Sequence, residues 1–188
     1  NAAWKLRFSH SILTAMFFLL SVVFEMFGHV ALAYTIRLAS LLIYLLLEIP
    51  FKDFTRKHSL HGIHLFIVLA SIGIGLAGAI IFPAQRVAWL HAYFLVGLTG
   101  VILLVSLRVI FGHSGRPDLI RKSVKLFAVL IGLLSLAASS RVFADFAPLH
   151  QQSHYLYAAL CWLACGIVWM FFVGPSNKPP KEKVGHHC

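Results

Sequence analysis

The chain has 188 residues, of which 60% are hydrophobic and only 12% are charged. A soluble domain carries about twice that charged fraction, so the composition excludes a soluble globular protein and predicts one embedded in lipid. The formal net charge of +10 does not indicate a nucleic-acid partner, because the basic residues are spread over alternate loops rather than gathered in one patch. The predicted partner is the lipid bilayer.

Six apolar segments follow one another along the chain, each close to the roughly 20 residues that a spanning helix needs. They lie near residues 8–28, 31–49, 60–82, 89–111, 124–145 and 153–173. Strands are not expected, because an open sheet edge leaves backbone groups unsatisfied in lipid. The predicted fold is therefore all-α, a polytopic six-helix membrane bundle. It forms one domain over residues 1–177, and the Pro- and Lys-rich cytoplasmic tail at 178–188 is predicted to be disordered.

The loops between these segments differ sharply in charge. Lysine and arginine precede the first span, fill the second and fourth loops and follow the last span: Lys5, Arg7, Lys52, Arg56, Lys57, Arg116, Arg121, Lys122, Lys125, Lys178, Lys181 and Lys183. The opposite loops carry essentially only Arg86. This bias predicts that both termini and the basic loops lie in the cytoplasm, where they contact lipid headgroups.

The predicted topology divides most of the eleven histidines between the two membrane faces. The candidates near the cytoplasmic face are His10, His61, His64 and His113, and those near the opposite face are His29, His91 and His154. Two clusters drawn from several helices are the pattern expected of two haem sites, because facing helices hold cofactors in bundle cores. A histidine at a helix end also commonly bonds only water or a headgroup, so the prediction rests on their number and placement.

Spacing narrows the candidate metal ligands to His61, His64, His91, His113 and His154. His61 and His64 share one helix face, so either could bind iron or both could hold one metal ion. His91 and His113 stand at the two ends of the fourth span and differ by only about 40° around an ideal helix axis. We therefore expect both to point into the bundle interior. Cys161 and Cys165 are expected to pack rather than to bind metal.

Three arginines, Arg37, Arg108 and Arg141, lie inside the predicted spans. A charge within a span is costly and is a functional hypothesis by default. The guanidinium group pairs with carboxylates such as haem propionates. The alternatives are a local acid, Glu25 for Arg37 and Asp145 for Arg141, or a side chain that reaches outward to the interface. Arg108 has no acid nearby in sequence and is the first choice as a propionate partner.

A segment of the fourth span carries a family resemblance. It reads His91-Ala92, Gly97, Gly100, Arg108 and then Gly112-His113-Ser114-Gly115-Arg116. This resembles the NnrS family, whose members carry a similar His-Ala, Gly, Arg and Gly-His-Thr-Gly-Arg series, and the resemblance extends over roughly 58–173. It implies a bacterial inner-membrane protein that binds haem and copper and is linked to nitric oxide metabolism and nitrosative stress. The residues that match the motif are His91, Arg108, His113 and Arg116.

Members of that family usually have about twelve spans, so six spans indicate a half-length relative, a fragment or a subunit of a larger complex. The leading hypothesis is a membrane protein that holds one or two b-type haems, with copper as a further candidate, and acts in electron transfer or the response to nitric oxide. One alternative is a two-haem, cytochrome b-like subunit that exchanges electrons between quinol and a partner complex. Another is an accessory subunit without a cofactor.

Overall fold

A computed structural model describes residues 2–48, 60–113 and 117–173, with side-chain environments for 9–47, 62–113 and 123–173. Over these ranges the chain is helical apart from short turns, and it contains no strand. Six of its helical segments are long and apolar enough to cross a membrane. The predicted all-α, six-helix fold class is confirmed.

The helices are α1 (Ala2–Met26), α2 (Val30–Glu48), α3 (Leu60–Ile81), α4 (Arg86–His91), α5 (Thr99–His113), α6 (Pro117–Phe146) and α7 (Gln151–Val173). The fourth span is composite, because α4 continues through a π-helical segment (Ala92–Leu98) into α5. Short 3-10 turns at Pro83–Gln85 and Pro148–His150 precede α4 and α7.

The apolar stretches able to span are Ser9–Met26, Val30–Leu47, Gly62–Ile81, Pro83–His113, Ser123–Phe146 and Pro148–Val173. The fourth and sixth begin earlier than the predicted residues 89 and 153. In both, a proline opens a 3-10 turn that runs directly into the helix, and proline is suited to a first helical position because its missing N–H needs no partner there. The tail predicted at 178–188 lies outside the described residues.

Helix α6 lies at the centre of the packing. It contacts α3, α4, the π-helical segment, α5 and α7, whereas α1 packs mainly on α2 and α2 on α3. The largest fully buried side chains along this centre include Phe111, Phe127 and Leu130. The α1–α2 hairpin therefore lies at the edge of the bundle, and residues that contact α6 lie nearest its core.

Glycines on α3 bring the fourth span unusually close. A Cβ added to Gly75 would lie 2.6 Å from the backbone nitrogen of Tyr93, and one added to Gly78 would overlap the Trp89 ring. Small residues at such positions allow two membrane helices to pack backbone to backbone. The space beside these glycines is therefore filled by the neighbouring helix.

The π-helical segment alters the rotation of the fourth span. Its wider turn is visible at Thr99, whose backbone N–H donates a hydrogen bond to the carbonyl oxygen of Phe94, five residues earlier. Because a π-helix turns through a smaller angle per residue than an α-helix, the uniform 100° step between His91 and His113 does not apply. In the structure His91 is half-buried, whereas His113 is exposed.

Candidate functional site

Three turns meet at one end of the bundle, the turn face, formed by residues 27–29, 82–85 and 147–150. The Phe82 ring meets the Phe146 ring edge-on with centroids 6.1 Å apart, which joins the second turn to the third. The Arg86 guanidinium lies 6.0 Å from the centroid of the Tyr34 ring, which joins the second turn to the first hairpin. Side chains from all three hairpins therefore converge at this face.

His91, the last residue of α4, has a defined hydrogen-bonding arrangement. Its Nδ1 lies 2.7 Å from the carbonyl oxygen of Val87. A carbonyl only accepts, so Nδ1 carries the proton and Nε2 keeps its lone pair. Metal-ligating histidines are held in the same way, with the second ring nitrogen donating to a backbone carbonyl or a carboxylate. His91 thus presents the nitrogen that keeps its lone pair toward Arg141 of α6.

Arg141 on α6 faces that nitrogen. Its Nε donates a hydrogen bond to Nε2 of His91 at 3.3 Å, and its guanidinium carbon lies 3.9 Å from the centroid of the Tyr155 ring. Its Nη1 is buried and has no hydrogen-bond partner within the described part of the chain. Asp145, the local acid expected for Arg141, instead accepts a hydrogen bond from the Tyr155 hydroxyl at 3.4 Å. Within the described ranges, the guanidinium of Arg141 therefore lies against the Tyr155 ring and beside His91 without a carboxylate bound to it.

A second imidazole, that of His154 on α7, contacts Ser140, the residue of α6 that precedes Arg141. The Ser140 hydroxyl donates to the backbone oxygen of His154 at 2.8 Å and lies 3.2 Å from its Nδ1. Since the hydroxyl proton is used on the carbonyl, Nδ1 acts as the donor in the second contact, and Nε2 is again the nitrogen with the lone pair. His91 and His154 therefore contact adjacent residues of α6 in the same tautomer.

A different environment surrounds Arg37 on α2. Its Nη2 lies 2.6 Å from Oε2 of Glu25, and its Nε donates to the Ser21 hydroxyl at 2.9 Å. The Tyr34 hydroxyl donates to the other carboxylate oxygen of Glu25 at 3.0 Å. Of the two alternatives weighed for Arg37, the structure shows the local acid.

His64 lies near the opposite end of the bundle. Its side chain is only 7% exposed, and its ring meets the Phe127 ring edge-on with centroids 5.2 Å apart. It lies 17 residues before Ile81, which corresponds to roughly 25 Å along α3 at 1.5 Å per residue. The core histidines therefore occupy two depths.

Comparison with known families gives one match. A family model described as NnrS protein matches residues 2–176, which is most of the chain. The chain belongs to the NnrS family. The match also takes in the α1–α2 hairpin, which lies outside the 58–173 stretch that carried the resemblance. No curated protein and no solved structure matches the chain.

Of the six remaining predicted site residues of this NnrS-family chain, four have described side chains. His10 is half-buried near the start of the first span, while Arg108 and His113 are exposed on α5. His29 is exposed at the first turn and lines a cavity of about 450 Å³ together with Arg86. The side chain of His61 and the whole of Arg116 lie outside the described residues.

Among the described residues, no group of three or more His, Cys, Asp or Glu side chains is arranged to hold a metal ion. Cys165 is buried with its Sγ 4.0 Å from the carbonyl oxygen of Leu130, as expected for a packing residue. A haem needs fewer ligands from the protein than a bare metal ion does, because its macrocycle supplies four nitrogens and the chain supplies only one or two further ligands.

Ser140, Tyr155 and Tyr34 were not predicted from the sequence as partners of the site residues. Each has a signal that could have found it: Ser140 precedes Arg141, Tyr155 follows His154, and Tyr34 is three residues from Arg37 and so shares its helix face. A polar residue beside a membrane-embedded charge is a reasonable partner for it. The pairing of His91 with Arg141 has no such local signal.

Proposed function

We propose that this NnrS-family protein is an integral membrane haem protein with its b-type haem at the turn face. His91 would ligate the iron through Nε2, His154 is the candidate for a second ligand, and Arg141 would pair with a propionate. When bound, haem supplies a redox-active iron that carries an electron or takes a small gas such as nitric oxide.

The observation that carries this proposal is the unpaired guanidinium edge of Arg141 beside the lone pair of His91. A buried donor without an acceptor costs roughly 1–3 kcal/mol, more for a charged group. A propionate would satisfy Nη1 and neutralise the charge. If Arg141 turned toward the propionate, it would also release Nε2 of His91, which now accepts only one long hydrogen bond of 3.3 Å.

The proposed location is the bacterial inner membrane. Both ends of the chain and its basic second and fourth loops would lie in the cytoplasm. The turn face would then lie on the opposite side of the membrane. A haem there would be reached by molecules that arrive from outside the cytoplasm. Copper is a second candidate for the same two imidazoles, and elemental analysis of one preparation distinguishes it from iron.

The test is a dithionite-reduced minus oxidised absorption spectrum of the purified chain, with haem counted per polypeptide. We expect b-type bands in the wild type and loss of at least half of the haem in His91→Ala. His150→Ala is the matched control, because His150 is exposed at the same face and is not a proposed ligand. A wild-type chain free of haem, iron and copper would refute the proposal and favour a cofactor-free accessory subunit.

The buried position of His64 favours a second candidate, a two-haem electron-transfer subunit. A histidine about 25 Å from the turn face along α3 would serve a haem near the cytoplasmic side, so electrons could cross the bilayer. In that case we expect about two haems per chain in the wild type and about one in His64→Asn. A count near one in both proteins would exclude this second function and leave the first unaffected.

A further inference from the structure

A separate cavity lies between α1, α2, α3 and the π-helical segment. Its volume is about 230 Å³, somewhat below the range of pockets for drug-sized ligands, so it suits a single ring. Phe18, Leu41, Ile72 and Leu76 form much of its apolar wall, and Arg37 and Tyr93 are among its polar groups. None of the residues proposed to hold haem lines it.

Tyr93 provides an unused donor in this cavity. Its side chain is only 8% exposed, and its ring meets the ring of Phe94 edge-on. Its hydroxyl forms no hydrogen bond among the described residues. A buried phenol usually finds a hydrogen-bond partner. The cavity is the place from which a ligand could supply one.

Arg37 provides a second donor. Its side chain is 12% exposed, its Nε and Nη2 are engaged by Ser21 and Glu25, and its Nη1 has no hydrogen bond within the described ranges. Because Glu25 compensates the charge, the pair offers N–H donors with no net charge. This differs from Arg141 and favours a neutral ligand that carries acceptor oxygens over an anion.

The depth of the cavity limits what can enter it. Arg37 lies seven residues beyond Val30, and Tyr93 lies seven beyond Arg86, so both are roughly 10 Å below the turn face. The ester oxygens of phospholipids lie at the edge of a hydrocarbon core about 30 Å thick, above this level. A ligand must therefore bring its acceptor oxygens into the bilayer on an apolar body.

We propose that this cavity binds the head ring of a membrane quinone, with Tyr93 and Arg37 donating to its carbonyl oxygens. A quinone is neutral, flat and apolar and carries acceptor oxygens on the ring, and its isoprenoid tail would extend into lipid. The proposal concerns binding only, and it does not depend on haem.

The test is equilibrium binding of a short-tail ubiquinone to the chain in phosphatidylcholine nanodiscs, where lipid esters are in large excess. We expect saturable binding that Tyr93→Phe weakens about five- to tenfold, the range for one lost hydrogen bond. Tyr157→Phe is the control, because Tyr157 is exposed on α7 and should bind as the wild type does. An alkylbenzene with the same tail but no carbonyls should bind more weakly than the quinone.

Three results would overturn the proposal: no saturable binding, equal affinity in Tyr93→Phe and wild type, or equal affinity for the alkylbenzene. The last of these would indicate a site for lipid tails. His91→Ala separates this inference from the haem proposal. We expect that variant to bind the quinone normally whether or not it holds haem, and a loss of quinone binding there would contradict the placement of the site.

Discussion

Arg141 donates a hydrogen bond from its Nε to Nε2 of His91, across 3.3 Å and fifty residues of sequence. The arrangement is unusual because the acceptor is also the nitrogen with which a histidine would bind iron. It places a cation with a buried, unpaired edge beside a candidate ligand, whereas the cation at Arg37 is paired with Glu25. The two arginines therefore suit ligands of different charge, an acid at the first and a neutral molecule at the second.

Arg141 and Arg108 are the two remaining candidates for a propionate partner, because Arg37 is paired with Glu25. Replacing Arg141 with Leu should weaken haem binding by about 10- to 100-fold, the effect of losing a partly buried charge-assisted hydrogen bond. Arg108→Leu should have little effect, since Arg108 is exposed on α5. The measurement is titration of the haem-free protein with haemin. A larger loss in Arg108→Leu would return the role to the arginine favoured by sequence.

Removal of the Glu25 carboxylate should destabilise the first hairpin. Glu25→Gln leaves the Arg37 charge without its partner, and we expect a loss of about 2 kcal/mol, below the full effect of a buried pair because Glu25 is one-third exposed. Thermal unfolding in detergent gives the stability. The double variant with Arg37→Met should lose less than the sum of the two single variants, and strict additivity would argue against the ion pair.

Gly75 and Gly73 of α3 are a matched pair of positions at which the packing of α3 on the fourth span can be tested. Gly75→Ala should cost about 1–3 kcal/mol, because its Cβ would meet the backbone of Tyr93 and backbone yields less readily than a side chain. Gly73→Ala has open space at the same depth of the helix and should be neutral or stabilising by up to about 1 kcal/mol. Equal melting temperatures for the two variants would contradict the close approach of α3 and the fourth span.

The Ser140 hydroxyl should orient His154. Ser140→Ala removes both contacts to His154, and we expect a loss of about 1 kcal/mol of stability, typical of a hydrogen-bonded hydroxyl. Ser139→Ala, one residue away and exposed, is the control and should be within about 0.5 kcal/mol of the wild type. Chemical denaturation reports the difference, and an unchanged Ser140→Ala protein would mean that His154 is held by other contacts.

Hydropathy was sufficient to predict the six helices, since lipid requires a continuous apolar stretch for each span. The sequence also identified Glu25 as a candidate partner of Arg37, because both residues lie within a few turns of the short connection between α1 and α2. Their contact needs only that the two helices are antiparallel neighbours. The sequence therefore predicts contacts that cross one tight turn.

Contacts between distant helices could not be predicted in the same way. His91 meets Arg141 because α4 packs against α6, and neither hydropathy nor charge indicates which helices are neighbours. The same limit applies to Asp145, which lies one turn from Arg141 but interacts with Tyr155 instead. The π-helical segment was a further obstacle, since Ala92–Leu98 contains no residue type that marks a wider turn, and the angle calculated for His91 and His113 assumed an ideal helix.

The π-helical segment makes the direction of His91 depend on where the fourth span gains or loses a residue. Deleting one residue between Ala92 and Leu98 would favour the return of that stretch to α-helical geometry with little change in the rotation of α4 relative to α5, because the wider turn already accommodates one extra residue. Deleting one residue within α5 would instead turn α4 by about 100° relative to the rest of that helix and would take His91 away from Arg141, although both residues would still be present. An insertion or deletion within an apolar helix, which preserves composition and hydropathy, could thus abolish or create a ligand position. Alignment gaps in the fourth span are therefore as informative about this site as substitutions of the histidine itself.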